Sequence, residues 1–225
     1  AALLDFGRDD ARLCHEELDH GSRNFALREA LALTHVAAGM PLIYGHVLLS
    51  ETLLNASVAQ GYGLVTMMRA PRARALSNYR MAVRAGVIPD DLDAWLDGPV
   101  GVRMGRQMLR YLSGHPDPAR IDAPDTALRI ALDRLEAFSL IGSLEAPGAF
   151  LTAFSSAFGG RPSLPRLNRG AGEDVALTPD QSRRLDVLVE PDRILHARAQ
   201  ALFPDAAPVG RRRSGVRAGP FGAAA

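Results

Sequence analysis

Lysine is missing from this sequence, and all 26 basic residues are arginine. Any anion that the chain binds must therefore be recognised by planar guanidinium groups rather than by ammonium groups. Cysteine occurs only once, at Cys14, which excludes a disulfide bond within the chain. No apolar run approaches the roughly 18 residues that a membrane-spanning helix needs, so we expect no membrane partner.

Neither sign of charge dominates the composition, because 25 acidic residues nearly balance the arginines and leave a formal net charge of +1. This balance gives no support for a nucleic-acid partner. The lack of lysine, of disulfides and of a membrane anchor favours a bacterial, cytoplasmic protein. The sequence does not indicate an oligomeric state.

The length of 225 residues and a hydrophobic content of 47% fit one domain with a substantial core. We place this domain at residues 1–204. Residues 205–225 are rich in glycine, alanine and arginine, and we predict that they form a disordered tail. The opening residues, "AALLDFG", have the pattern of the end of a helix, so we expect the beginning of this helix to lie upstream of Ala1.

Hydrophobic patterning alternates between strands and helices along the chain. Apolar runs predict strands over 42–48, 62–68 and 138–141. Helical spacing predicts helices over 25–38, 71–85, 92–114 (irregular), 126–137 and 147–158. A last helical region begins with Thr178 and Gln181 as capping residues, and Pro191 divides it in two. Such alternation favours an α/β fold with a mainly parallel sheet.

The stretch "LVTMMRAPRARALSNYR" at residues 64–80 carries the clearest indication of a binding site. A buried strand ends, Arg69 follows, and Pro71 opens a helix whose first amides lack partners and attract anions. Ser77 lies nearly two turns into that helix and offers a hydroxyl. Together these groups suit a phosphate monoester. The alternative is that Arg69 belongs to a surface loop and Ser77 only completes a helix.

This stretch resembles the 3′-phosphate-binding motif of sulfotransferases that use 3′-phosphoadenosine 5′-phosphosulfate (PAPS), roughly R-D-P-x-x-R-x-x-S-x-Y. The resemblance implies that Arg69 and Ser77 bind the 3′-phosphate, while Arg74 and Tyr79 support the helix. The chain departs from the motif at Ala70, where the family usually has aspartate. That position serves loop geometry, so the phosphate ligands themselves are retained.

Other segments extend the resemblance. "YGHV" at residues 44–47 is similar to the strand that carries the catalytic histidine in heparan sulfate 2-O-sulfotransferases, which implies that His46 is the general base. "LPRLNRG" at 164–170 resembles the loop over the nucleotide, which implies cofactor contacts from Arg166 and Asn168. "MLRYLSG" at 108–114 resembles a further family segment, and Arg106 and Arg110 are candidate ligands of an acidic acceptor.

The glycine-rich loop that holds the 5′-phosphosulfate in this family is not found in the sequence. We expect that loop and the first strand upstream of Ala1, within a P-loop-like three-layer sandwich that has helices on both sides of a mainly parallel sheet.

The resemblance implies transfer of a sulfuryl group from PAPS to a hydroxyl, such as one on a carbohydrate, without a metal. Two alternatives stay open: a non-catalytic relative that binds a nucleotide or an anionic glycan, and another phosphate-binding α/β enzyme such as a relative of nucleotide kinases.

Overall fold

The computed structural model of the chain describes residues 21–121, 123–159 and 175–204. Cys14, Arg166, Asn168 and the tail at 205–225 lie outside these ranges, and so do the predictions made for them.

The described residues form a mixed α/β structure that is mostly helical. Within them, every helix is too short or too polar to cross a lipid bilayer. In chain order the elements are α1 Gly21–Ala37, α2 Glu51–Ala59, β1 Leu64–Met68, α3 Pro71–Arg84, α4 Leu92–Asp97, α5 Pro99–Gly105, α6 Gln107–Ser113, a 3₁₀ turn Pro118–Arg120, α7 Pro124–Leu135, β2 Phe138–Ser143, α8 Pro147–Phe158, α9 Pro179–Leu188 and α10 Glu190–Leu202.

Strands β1 and β2 pair in parallel and form a small sheet, with Leu64 opposite Phe138 and Met68 opposite Ser143. A parallel pair needs a long crossover between its strands, and helices α3 to α7 supply it here. Both strands therefore end at the same edge of the sheet. At this edge β1 leads directly into α3, as the stretch at 64–80 predicts.

Helices cover both faces of the sheet. Met68 and Ile141 are buried on one face, in a cluster with side chains of α6, α7 and α10. Leu140 is buried in a second cluster, against Phe150 of α8. Because successive side chains of a strand point to opposite faces, the neighbours Leu140 and Ile141 serve these two different cores.

Gly142 of β2 is buried in direct contact with Phe150, and a side chain here has no room. A Cβ would lie 2.3 Å from Phe150 Cδ2 and 2.8 Å from Phe150 Cβ, which is the rigid base of that side chain. We expect Gly142→Ala to lower the free energy of unfolding by about 2 kcal/mol, because the core must shift to admit the methyl group. Urea denaturation measures this change.

The matched control for this prediction is Gly148→Ala in α8. A Cβ at Gly148 meets no heavy atom within 4 Å, so this change should leave stability the same or raise it by about 0.5–1 kcal/mol. A Gly142→Ala protein as stable as the unchanged chain would contradict the packing described for β2.

The strand predicted over 42–48 is wrong, because this segment has no regular secondary structure and pairs with no strand of the described residues. Its side chains Ile43 and Val47 instead pack into a cluster formed by α1 and α2. In addition, Arg28 of α1 donates a hydrogen bond from Nη1 to the carbonyl of His46 (3.2 Å). A short apolar run is expected whether the chain packs against helices or within a sheet, so the sequence pattern did not distinguish the two.

Several predicted helices are confirmed with small shifts of their ends. The irregular region over 92–114 consists of three short helices, and its breaks fall at Gly98 and Arg106. Thr178 and Gln181 form the predicted capping box of α9. The division near Pro191 is confirmed as well, since a new helix begins at Glu190.

Candidate functional site

A cavity of about 190 Å³ lies at the edge of the sheet where β1 ends. It is bounded by the end of β1, by α3, by the first residue of α6 and by the turn after β2. The lining residues are Arg69, Arg74, Ser77, Asn78, Gln107 and Leu144. The structure therefore brings together Arg69 and Ser77, the two residues that the sequence proposed as phosphate ligands.

Arg69 and Arg74 place two guanidinium groups at one cavity. Burial is the largest cause that lowers the pKa of Arg74, and the charge of Arg69 lowers it further. The charge of Asp192 opposes this shift. Arg74 Nη1 donates to Gln107 Oε1 (3.2 Å). Arg74 Nε is buried and donates no hydrogen bond to the described residues. Two close cations and a buried donor without an acceptor favour a site that takes an anion.

Asn78 and Gln107 close the cavity with their side-chain amides. Asn78 Nδ2 donates to the carbonyl of Met104 (3.1 Å) and to Gln107 Oε1 (3.1 Å). Gln107 Oε1 thus accepts from both Asn78 and Arg74. These bonds fix the orientation of three lining side chains before any ligand arrives. Tyr79, the next residue of α3 after Asn78, is structural: its hydroxyl donates to Asp90 (2.6 Å) and its ring packs on Trp95.

Asp192 supports the cavity from behind and was missed at the level of sequence. This carboxylate is fully buried and accepts hydrogen bonds from the backbone N–H groups of Met108 (2.8 Å) and Leu109 (2.9 Å), in the first turn of α6. Burial raises the pKa of Asp192 to about 7, although those two hydrogen bonds and the charge of Arg74 lower it. Asp192 therefore fixes the start of α6, and with it Gln107.

His196, one turn after Asp192 on α10, is also close to the site. Burial lowers the pKa of His196, the charge of Arg74 lowers it further, and Glu145 opposes both. Glu145 itself lies on the rim of the cavity, directly after the lining residue Leu144. The sequence offers one weak indication of this region, which is that Asp192 and His196 are polar residues spaced four apart in an otherwise amphipathic helix.

His46, the predicted general base, is exposed and does not line the cavity. Its ring centroid lies 6.3 Å from that of Tyr111. Burial raises the pKa of the Tyr111 hydroxyl, while the charge of Arg110 and a hydrogen bond with Gln107 lower it. Tyr111 therefore connects the neighbourhood of His46 to Gln107 in the wall of the cavity.

The structure does not bring Arg106 and Arg110 into the cavity. Arg106 Nε donates to the carbonyl of Leu188 (3.2 Å) and joins α5 to α9. Arg110 Nε donates to the carbonyl of Pro116 (2.7 Å), and its guanidinium lies 4.5 Å from the ring centroid of Phe25. These contacts give both arginines structural roles. The other predicted cofactor ligands, at 166 and 168, lie outside the described residues.

The fold and the site define a mixed α/β protein with an arginine-lined cavity at the carboxyl edge of a parallel strand pair. Comparison of the chain with protein-family models, with curated proteins and with solved structures finds no match.

Proposed function

We propose that this cavity binds the 3′-phosphate of an adenine nucleotide and that the protein is a sulfotransferase that uses PAPS. The observation that carries the proposal is that Arg69, Arg74 and Ser77 converge on one cavity where β1 passes into α3. Guanidinium groups and a hydroxyl are the donors that a phosphate monoester requires.

Charge supports this reading of the cavity. The charge of Arg69 contributes to lowering the pKa of Arg74, so the two guanidinium groups repel one another, and a doubly charged phosphate between them removes that repulsion. Among the described residues, the carboxylate that acts most strongly on Arg74 is Asp192, which is half protonated near pH 7. The site therefore retains positive charge for a ligand at neutral pH.

The proposed P-loop-like sandwich is larger than the two-stranded sheet and the helices that the described residues form. A parallel strand pair with helices on both faces is the arrangement expected for the centre of a P-loop-like sandwich. A sulfotransferase of this kind also needs a glycine-rich loop, which would hold the second anion of PAPS, the 5′-phosphosulfate, through backbone amides.

The proposed reaction is an in-line transfer. The acceptor hydroxyl oxygen forms a bond to sulfur while the bond between sulfur and the bridging phosphate oxygen breaks. The hydroxyl proton goes to His46, and adenosine 3′,5′-bisphosphate leaves with the electron pair of the broken bond. Incubation of protein that carries the phosphosulfate loop with sulfur-labelled PAPS and a panel of carbohydrate acceptors tests the reaction, and the absence of labelled product with every acceptor would contradict it.

In protein that carries the phosphosulfate loop, we expect His46→Ala to remove turnover and leave affinity for adenosine 3′,5′-bisphosphate within a few fold. The physical reason is that His46 is not among the residues that line the cavity. Steady-state kinetics and isothermal titration calorimetry measure the two quantities. His35→Ala in α1 is the control and should change neither, and equal losses of turnover and affinity in His46→Ala would give His46 a structural role.

A second candidate function is a non-catalytic binder of the same nucleotide or of an anionic glycan. The observation in its favour is that His46 is exposed and does not line the cavity. Binding of adenosine 3′,5′-bisphosphate without any sulfuryl transfer from PAPS would support this candidate over the enzyme. The third possibility, a relative of nucleotide kinases, would show phosphoryl transfer from ATP instead.

A further inference from the structure

A carboxylate stands at the rim of the cavity, where an anion site has no obvious use for one. Glu145 follows the lining residue Leu144, and its Oε1 accepts a hydrogen bond from the backbone N–H of Ala70 (3.0 Å), the residue after Arg69. Ser143 Oγ donates to Glu145 Oε2. The carboxylate of Glu145 is thus held on two sides, by Ser143 at the end of β2 and by Ala70 at the start of α3.

Glu145 is ionised in this setting. Burial favours its neutral form, but the hydrogen bonds from Ser143 and from Ala70, together with the charge of His196, hold the pKa of Glu145 below its ordinary value. A carboxylate fixed beside a phosphate site repels a dianion, so it weakens binding unless the ligand also offers a hydrogen-bond donor. Its two oxygens provide about four acceptor positions, of which Ala70 and Ser143 occupy two.

We propose that Glu145 selects nucleotides that carry a free hydroxyl next to the phosphate, and that it does so by accepting a hydrogen bond from the ribose 2′-hydroxyl of a 3′-phosphorylated ribonucleotide. The inference rests on the proposed function, because it takes the phosphate to occupy the cavity of Arg69 and Arg74. Glu145 is then a specificity-determining residue that separates ribonucleotide from deoxyribonucleotide 3′-phosphates.

The chemistry of the ligand matches the arrangement of the site. In a ribose 3′-phosphate the 2′-hydroxyl is on the neighbouring carbon, so a phosphate between the arginines places a donor at the rim. A carboxylate that binds a ribose hydroxyl is a familiar use of acidic residues at nucleotide sites. In a 2′-deoxyribonucleotide the hydroxyl is absent, so the ionised carboxylate of Glu145 faces the phosphate without a compensating hydrogen bond. The ribonucleotide therefore binds more tightly than the deoxyribonucleotide.

The experiment compares two probes on the same full chain by isothermal titration calorimetry: adenosine 3′-monophosphate and 2′-deoxyadenosine 3′-monophosphate. Neither probe carries a 5′-phosphate, so the result does not depend on a phosphosulfate loop. We expect the ribonucleotide to bind about tenfold more tightly, the ratio expected of one hydrogen bond to a charged acceptor. Glu145→Gln keeps an oxygen for Ala70, and we expect it to reduce the ratio to about threefold. Glu145→Ala should reduce it to about one.

Glu136→Gln is the matched control, since Glu136 is exposed, pairs with Arg198 and lies away from the cavity. It should keep the tenfold ratio. Equal binding of the two nucleotides by the unchanged chain, or a tenfold ratio that persists in Glu145→Ala, would overturn the role of Glu145 while leaving the phosphate site intact; Glu145 would then only cap α3. If neither nucleotide binds, the proposed function fails together with this inference.

Discussion

Arg69→Ala is expected to weaken binding of adenosine 3′,5′-bisphosphate by about a hundredfold and to change binding of adenosine 5′-phosphate by less than about threefold. The variant loses a charge-assisted contact to the phosphate, which is worth about 1.5–3 kcal/mol. It also loses part of the positive electrostatic potential that Arg69 and Arg74 produce in the cavity. Calorimetric titration of both nucleotides with the same protein preparation measures the difference.

The size of this effect follows from the position of Arg69. Among the described residues, its guanidinium makes no hydrogen bond or ion pair, so no internal contact competes with a ligand. The side chain follows the buried end of β1 at Met68, and the rigid strand therefore sets where it begins. Truncation also leaves Arg74, with its buried Nε, as the remaining guanidinium of the cavity.

Arg72→Ala is the matched control for this prediction, because it removes the same charge only three residues further along the chain, in the first turn of α3. Arg72 does not line the cavity: it pairs with Asp186, and it donates to the carbonyl of Ser182 (3.3 Å) and to Ser182 Oγ (3.0 Å). We expect Arg72→Ala to change the affinity for either nucleotide less than about threefold. If both arginine variants weaken both nucleotides equally, the effect is one of net charge and the 3′-phosphate role of Arg69 is wrong.

Local rules made the central part of the site predictable from the sequence. An apolar β-branched run, an arginine and a proline at the first helical position determine a strand, a turn and a helix within a few residues. The structure places β1 at Leu64–Met68 and α3 at Pro71–Arg84 accordingly. Ser77 follows Arg69 by eight residues, and the turn and the helix between them fix their separation. Both residues therefore line the same cavity.

Contacts between distant parts of the chain explain what the sequence did not predict. Gln107, Leu144 and Asp192 reach the site from three other parts of the chain, and of these only Asp192 has a weak local indication, its spacing of four residues from His196. Arg106 was a candidate ligand of an acceptor, but it donates to the carbonyl of Leu188, which is 82 residues away along the chain. The segment at 42–48 has the composition of a strand, yet its side chains Ile43 and Val47 pack against helices α1 and α2.

Asp192→Ala is expected to lower the free energy of unfolding by about 4 kcal/mol at pH 5. In the folded chain this carboxyl group accepts both amide hydrogen bonds at the start of α6, from Met108 and Leu109. Alanine leaves two buried N–H groups without an acceptor, at about 1–3 kcal/mol each, and opens a cavity beside Arg74. Chemical denaturation monitored by circular dichroism provides the measurement.

The effect of Asp192→Ala should become smaller as the pH rises. Burial raises the pKa of Asp192 from 3.8 in the unfolded chain to about 7 in the folded one. Between these two values the folded state holds a proton that the unfolded state has released, so ionisation of Asp192 increasingly favours unfolding until about pH 7. The unchanged protein loses this stability with rising pH and the variant does not, and we expect the difference between them to fall to about 2 kcal/mol at pH 8.

Asp186→Ala is the control that separates the effect of Asp192 ionisation on stability from the general effect of removing a negative charge. Asp186 forms an exposed ion pair with Arg72, so its removal should change stability by less than about 1 kcal/mol at either pH. A cost of Asp192→Ala that stays constant between pH 5 and pH 8 would show that Asp192 is already ionised at pH 5, held in that form by Arg74 and Arg106. In that case the cavity arginines are already neutralised from behind, and the case for a dianionic ligand between Arg69 and Arg74 loses its electrostatic basis.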